Sequence, residues 1–377
     1  MDLELSDEQV WLSESVTTLL ERAWPPPEAV ATAKDEQRRR VWDRLVEFGA
    51  LTIGAEDGLG AAELCLIARA LGTRLVSVPF LGSAAVRMAV APFLERMSDE
   101  VNDALAGGVG VSLAQLEPGS SSWFDAPATE ARRTGEGLEL HGEKVAVEHV
   151  EAADWLAVVA SLDGQPTLAV LPTSATGVIR ETRRSFDETI PLASLRFDGA
   201  QLSQRDALAP ALGDRALERL GTIGALLAAA EAVGAAGAVL ELAVRYAAER
   251  KQFGRAIGTF QALRHLLADM YVRHSSGWST VLYAAASLDD DADDAARNAS
   301  VAKAYVSRSA REIAHGALQA FGGIAFTAEH PAHRFLRRIV VRERQFGDAA
   351  HHERILGAQL ATRAGAVPRA LAEASLP

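Results

Sequence analysis

The feature that most restricts what this chain can fold into is a double change of hydrophobic period. Across residues 1–107 the apolar side chains recur at helical spacing. Leu12, Val16, Leu19 and Leu20 fall at i, i+4, i+7 and i+8 and so share one helix face. The run Pro25-Pro26-Pro27 ends that helix, because proline has no backbone N–H and crowds the preceding turn. Segments 41–48 and 61–71 resume the pattern, separated by Gly54, Gly58 and Gly60. From 108 to 205 the period becomes two. Val109, Val111 and Leu113 alternate with small residues, and the pairs Leu138 with Leu140 and Val145 with Val147 repeat the alternation. Segments 155–160 and 167–171 are short apolar runs, with Gly135, Gly137, Gly142, Gly164 and Gly177 marking turns. From 206 onward the helical period returns. Leu220, Ile223 and Leu227 line one face, and Leu263, Leu266, Leu267 and Met270 another. The expected class is α+β, mostly α: an N-terminal helical domain over 1–107, a central antiparallel β-domain over 108–205 and a C-terminal helical bundle over 206–377.

Charge and cysteine usage then remove several classes of function. A formal charge of −12 argues against a nucleic-acid partner, since phosphate binding needs clustered Lys and Arg. The single cysteine, Cys65, lies in the apolar run 64–71; it cannot form an internal disulfide and reads as a core residue. The stretch 223–240 reaches membrane-span length, yet it is mostly Ala and Gly and holds Glu231 near its middle. A mid-bilayer glutamate is costly, so a buried bundle helix is expected instead. The start, MDLELSDEQV, is acidic and has no apolar signal-peptide segment, which points to a cytoplasmic protein. The acidic run 289–294 reads as a solvated connection between helices.

Two motifs in the last region are specific. The first is Tyr246-Ala-Ala-Glu-Arg250-Lys-Gln252-Phe253-Gly254, followed by Ile257, Phe260-Gln261 and Leu267-Ala-Asp-Met270. The second is Gln319-Ala-Phe-Gly322-Gly323-Ile324, with Glu329-His330-Pro331 and Arg334 behind it. Both resemble C-terminal signatures of the acyl-CoA dehydrogenase family. Glu117-Pro118-Gly119 and Gly142-Glu-Lys144 resemble fragments of two further family motifs, so the resemblance spans nearly the whole chain. It implies a C-terminal four-helix bundle with tetramer contacts, and FAD shared between subunits. It also implies removal of two hydrogens from Cα and Cβ of an acyl-CoA thioester, with electrons passed to an electron-transferring flavoprotein. A carboxylate must take the weakly acidic α-proton in a dry pocket, and the flavin accepts the β-hydrogen as hydride.

What the resemblance implies residue by residue is uneven. Arg250, Phe253, Gln261, Gln319, Gly322 and Gly323 match residues that contact the FAD of a neighbouring subunit. A guanidinium suits the pyrophosphate and glycines admit its close approach. Taken without the family, Arg250 is a charge ending a helix, and Gly322-Gly323 a helix terminus or hinge. Ser122 matches a serine at the pyrophosphate of the same subunit's FAD. Leu116, however, replaces a threonine that reaches the flavin, and Ala146 and Glu148 stand where the family has an aromatic and a hydroxyl. Alignment puts Gly347 where the catalytic glutamate usually sits, and Gly224 where some members carry it instead. Glu218, Glu231 and Asp348 are the nearby carboxylates, each displaced from those positions. Glu231 on a close-packed helix reads more readily as a paired structural charge. His351-His352 invites a metal reading, but adjacent helical residues point about 100° apart, so no metal site is expected. His265, His274, His315, His330 and His333 read as surface or interface residues.

The pattern keeps the residues that serve a neighbour's FAD and loses those that serve its own, the base included. Degenerate subunits of actinobacterial heterotetrameric acyl-CoA dehydrogenases that act on steroid side chains are similar, down to Arg342, Phe346-Gly347 and the His351-His352 pair. The expectation is a non-catalytic subunit of such an enzyme, partnered by a homologous base-bearing chain. Two alternatives stand beside it: a homo-oligomeric acyl-CoA dehydrogenase with a displaced base, and an acyl-CoA-binding scaffold without redox activity.

Overall fold

A computed structural model describes residues 4–30, 33–52, 60–120 and 122–363; Gly54 and Gly58 lie outside the described residues. The contacts divide the chain into two compact units. One draws on residues 4–30, 33, 60–76 and 225–363, and the other on 34–52, 77–120 and 122–224.

In the first unit, helix α1 (Asp7–Ala23) opens with a capping box in which Ser6 Oγ accepts from Gln9 N. It buries Leu12, Val16 and Leu20, and it stops before the proline run. Of the second unit's helices, α2 (Asp35–Glu47) buries Val41, Trp42 and Leu45. Helix α3 (Ala61–Thr73), back in the first unit, has ten of its thirteen residues buried, Cys65 among them. Helices α4 (Phe80–Val90) and α5 (Asp99–Ala106) belong to the second unit.

Seven strands form the sheet of the second unit: β1 (Val111–Ala114), β2 (Glu130–Arg133), β3 (Leu138–Glu148), β4 (Trp155–Leu162), β5 (Gln165–Pro172), β6 (Val178–Arg183) and β7 (Leu192–Leu202). Their order is β1-β4-β2-β3-β7-β6, with β5 on β4. Four pairings are antiparallel: β2–β3, β4–β5 and β6–β7 join consecutive strands, and β3–β7 joins strands distant in sequence. β4 also pairs parallel with β1 and β2, which period alone cannot reveal. Along β3 the expected face is interrupted. Leu138 and Leu140 are buried, but the register shifts between Lys144 and Val147, where Ala146 takes φ +53°. Lys144 keeps the inward parity of Leu138 and Leu140, and the extra residue turns Val147 inward beside it and leaves Val145 half-buried.

Helix α6 (Pro210–Glu249) is long and apolar enough to cross a membrane, yet 89% of its apolar window is buried inside the fold. It is a core helix. In the first unit it crosses α3 at backbone contact. A Cβ added to Gly72 would lie 2.0 Å from Glu231 O, and one added to Gly234 would lie 2.0 Å from Arg69 O. Helices α7 (Gln261–Asp289), α8 (Ala295–Phe321), α9 (Ala332–Arg344) and α10 (Ala349–Arg363) complete this unit.

The acidic run 289–294 differs from expectation at its first residue. Asp289 is no solvated linker: its carboxylate accepts from Ala61 N at 2.6 Å and Ala62 N at 3.1 Å, and so caps α3. Burial pushes its pKa up, against the pull of those two N–H groups. Loss of a cap typically costs about 1 kcal/mol. Asp289→Ala is expected to lower unfolding free energy by about that much in urea titration, whereas an unchanged midpoint would show the cap to be idle.

Candidate functional site

Six of the residues singled out for FAD gather at one end of the helical unit. Helix α6 ends at Glu249, and Arg250 N closes the last helical bond on Tyr246 O. A two-residue turn then joins β8 (Lys251–Gln252) to β9 (Arg255–Ala256), with Phe253 at φ +53° and Gly254 at φ +80°. Positive φ at both central residues is the type I′ geometry. Glycine adopts it without strain, but phenylalanine does so at a cost of about 1 kcal/mol. The result is an aromatic ring held outward, 91% exposed, with Phe260 edge-on at 6.1 Å.

Gln261 opens α7 and is exposed, as is Gln319 near the end of α8. Phe321 packs edge-on against Tyr246 at 5.4 Å and His330 at 4.4 Å, which joins the end of α8 to the end of α6. Gly316 lies against Met270 and Leu266, which brings the start of α7 to the same end. At Gly322 the chain turns with φ +66°, and a Cβ on Gly322 or Gly323 would meet nothing within 4 Å. Arg250 is exposed and has no ion pair among the described residues. An unpaired guanidinium, two amides, an exposed ring and open backbone suit a dinucleotide's phosphates and adenosine edges.

In the sheet unit, the two motif fragments turn out to be bonded to each other. Lys144 Nζ, fully buried, donates to Glu117 Oε1 at 2.7 Å and to Gln115 O at 3.0 Å. Glu117 also accepts from Ala128 N and Thr129 N at 2.7 and 2.8 Å. Burial alone would raise the carboxyl, but Lys144 and the two N–H groups hold it below its usual range. The pair closes the loop that carries Ser122. The Ser122 hydroxyl accepts from Phe124 N at 3.2 Å, and Ser122 N donates to Asp125 Oδ2 at 3.0 Å. Ala146 is exposed at the bulge of β3 and Glu148 is half-buried, so no aromatic ring stands at that place.

Neither position for a base carries a carboxylate. Gly224 is buried within α6. Gly347 is buried at φ +88°, and a Cβ there would lie 2.7 Å from the His351 ring and 3.0 Å from His352 Nε2. The two imidazoles meet edge-on at 5.2 Å, and His352 Nε2 donates to Phe346 O at 2.9 Å. Lys303, fully buried, donates to the carbonyls of Arg342 and Glu343 at the end of α9, and burial pushes its ammonium down to about 7. The turn between α9 and α10 is thus packed shut.

The substitute carboxylates are otherwise engaged or turned away. Asp348 Oδ1 accepts from His351 N at 2.9 Å and caps α10. Burial acts upward on it, but that N–H and the nearby Arg344 hold it below the usual carboxylate range, the wrong direction for a general base. Glu218 is exposed on α6. Glu231 is 4% exposed and meets Arg338 Nη1 at 2.8 Å and Arg342 Nε at 2.9 Å. It is a structural charge. Among the described residues no group of three His, Cys, Asp or Glu is placed to hold a metal. His274 is half-buried against Gly237.

The closed turn yields a prediction. Gly347→Glu is expected to give no gain of dehydrogenase activity, and to lower stability by about 1 kcal/mol or more through its left-handed backbone alone. A variant that oxidised an acyl-CoA in a dye-reduction assay would show the turn to be adaptable.

Sequence reasoning missed the Lys144–Glu117 bond and the packing of the histidines against Gly347. The first had a signal, since a lysine at an inward strand position needs a carboxylate. The second had none, because left-handed backbone at a glycine leaves no mark in the sequence.

Comparison with known proteins agrees with the motifs. The profile of the family described as acyl-CoA dehydrogenase, C-terminal domain, matches residues 213–361. Benzylmalonyl-CoA dehydrogenase of Aromatoleum aromaticum (strain DSM 19018 / LMG 30748 / EbN1) is 27% identical over 360 residues, covering 90% of this chain and 94% of that protein. A chain in the crystal structure of the ChsE4-ChsE5 complex from Mycobacterium tuberculosis superposes with a TM-score of 0.83 at 26% identity, over 96% of this chain and 99% of that one. A chain of the Tcur3481-Tcur3483 steroid ACAD gives 0.82 at 25% identity, over 95% and 99%. FAD is the cofactor of these dehydrogenases. On matching motifs, fold and full-length relatives, the chain belongs to the acyl-CoA dehydrogenase family.

Proposed function

We propose that this chain is the non-catalytic partner in a heteromeric acyl-CoA dehydrogenase, lending its bundle end to the FAD site of a homologous, base-bearing chain. One observation carries the reading: Gly347 is closed in by two imidazoles where the family holds its carboxylate. The set Arg250, Phe253, Gln261, Gln319, Gly322 and Gly323 supports the other half of it, because all six are exposed and a Cβ on either glycine would meet nothing within 4 Å. FAD supplies the hydride acceptor. The chain's part is to bind: Arg250 neutralises pyrophosphate, Gln261 and Gln319 satisfy adenosine edges, and Gly322-Gly323 admits the cofactor's backbone-close approach. Ser122 adds a hydroxyl on the sheet side.

In this reading the segments 1–107, 108–205 and 206–377 act as three domains, and the assembly is a cytoplasmic tetramer that delivers electrons to an electron-transferring flavoprotein. Acyl-CoA thioesters with steroid side chains are the proposed substrates. That two of the similar structures are complexes of two named chains, one of them described as a steroid ACAD, favours both points.

The test is the visible spectrum of the purified chain, alone and after co-production with a carboxylate-bearing homologue encoded beside it. A colourless chain that turns yellow and active only with its partner is expected. A flavin spectrum from the chain alone, bleached by an acyl-CoA, would replace this reading with a homo-oligomer that uses a displaced base.

A further inference from the structure

In the second unit, helix α2 turns one stripe toward a recess of about 330 Å³. Arg39, Trp42, Asp43, Val46 and Glu47 fall three and four residues apart, and all of them line it. The glycine-rich segment 107–110 completes the lining together with Asp154. Glycines shape that segment. Gly108 turns at φ +72°, where a Cβ would come within 3.4 Å of Leu51 and 3.9 Å of Val46. A Cβ on Gly110 would lie 3.3 Å from Trp42 Nε1. Gly110 O accepts from Asp154 N at 3.0 Å and Trp155 N at 3.1 Å, while Ala152 N and Ala153 N donate to His149 O. Those bonds fix the backbone that carries Asp154 into the lining.

The charges around the recess do not balance. Asp43 and Glu47 stand one helical turn apart, and Asp154 adds a third exposed carboxylate. Arg39 is the one cation among the described lining residues. None of the four pairs with another charged group among the described residues. Like charges at i, i+4 disfavour a helix, and a recess lined mainly by one sign concentrates its field. Trp42 adds a separate observation. It is 6% exposed, and its indole N–H, beside Gly110, donates to no acceptor among the described residues. A polar group that deep ordinarily has a partner.

The carboxylates call for a cation that donates N–H groups, and the indole calls for an oxygen that accepts. We infer that this recess binds a small organic cation, an amine or guanidine that also carries a carbonyl oxygen. The cationic group lies against Asp43, Glu47 and Asp154, and the oxygen accepts from Trp42 Nε1. The volume, near the lower end for ligand sites, suits a molecule of amino-acid size. FAD and acyl-CoA do not suit it, because their phosphates would meet three carboxylates and a single guanidinium. The site is additional to the family's reaction and independent of the accessory role.

The experiment is calorimetric titration of the purified full-length chain with L-argininamide, which carries a guanidinium, an ammonium and an amide oxygen. Low ionic strength keeps the exposed carboxylates unscreened. One molecule is expected to bind per chain, with a dissociation constant on the order of 0.1 to 1 mM. Asp43→Asn combined with Asp154→Asn is expected to weaken binding at least about tenfold, and Trp42→Phe about fivefold through the lost hydrogen bond. Glu8→Gln combined with Glu14→Gln, the same charge change on α1, should leave it unaltered. Absence of saturable heat up to about 10 mM overturns the inference. So does an aspartate double variant that binds as tightly as wild type, since the overall charge of −12 would then explain the attraction. Unchanged binding by Trp42→Phe overturns the assigned ligand class. Should that variant not fold, the aspartate pair decides, because both side chains are exposed. None of these outcomes alters the flavin spectrum that tests the accessory role.

Discussion

Glu231→Ala is expected to lower unfolding free energy by about 4 kcal/mol, the largest effect of any single substitution considered. Glu231 lies between two arginines, both buried: Arg338 with no exposed surface and Arg342 at 3%. Removing the carboxylate takes this counter-charge from two guanidinium groups in a region from which water is excluded, and weakening a buried charge pair is far costlier than losing a neutral contact. Arg338 also donates to Val76 O at 2.9 Å and to Leu75 O at 3.5 Å, neutral carbonyls that cannot replace a formal charge. The replacement Glu231→Gln keeps the shape and should still cost most of the same energy. Urea unfolding followed by circular dichroism checks both. Replacing all three side chains together by apolar residues of similar volume should come out far milder than Glu231→Ala. A loss below 1 kcal/mol for the single variant would mean that the arginines reach solvent.

The second large effect is in pH. Burial, with the nearby Lys303 adding to it, pushes the His352 imidazole down to about 4, although the Phe346 carbonyl pulls the other way. The carbonyl can only accept, so Nε2 carries the proton of the neutral ring, and a second proton would have to go on Nδ1, which has no hydrogen-bond partner. Between about pH 6.5 and 4 the unfolded chain takes up that proton and the folded chain does not, so stability falls as pH falls through this window. It is fully present above 6.5. A shift of about 2.5 units corresponds to about 3 kcal/mol. His352→Gln keeps a donor for Phe346 O and removes the titration. Unfolding free energies at pH 7, 5.5 and 4.5 should therefore converge for the variant relative to wild type. Parallel curves for the two proteins would assign the acid loss to other groups.

The alternation of periods made the gross order legible: helices, sheet, helices. Ala-rich composition with a central glutamate was enough to separate a core helix from a membrane span at 223–240, since a lone acid in that setting implies a buried partner. Direction and register were not legible. Counting by twos along 138–147 cannot register the bulge at Ala146, which turns Val147 to the same side as Lys144 and leaves Val145 off it. Nor can local composition show that Asp289, first in an acidic run, serves the start of a helix 228 residues earlier. At the candidate site, alignment with the motifs could show that glycines stand at 224 and 347, the two places where a base is expected. The packing around Gly347 could not be read, because the closeness of His351, His352 and Gly347 depends on a left-handed turn.

The crossing of α3 and α6 bears on how the chain is made. Both glycine contacts that seat these helices against each other, at Gly72 and Gly234, join segments about 160 residues apart in sequence. A ribosome adding about 5–20 residues per second takes roughly 10 to 30 seconds to travel from the end of α3 to the start of its partner surface. Throughout that interval a helix with ten of thirteen residues destined for burial lacks the α6 surface that covers it in the finished fold. Nascent α1 and α3 must therefore be shielded by a holding chaperone, or by each other, until the last third of the polypeptide emerges. Production yield of this protein should depend on translation speed more than on the stability of its finished fold.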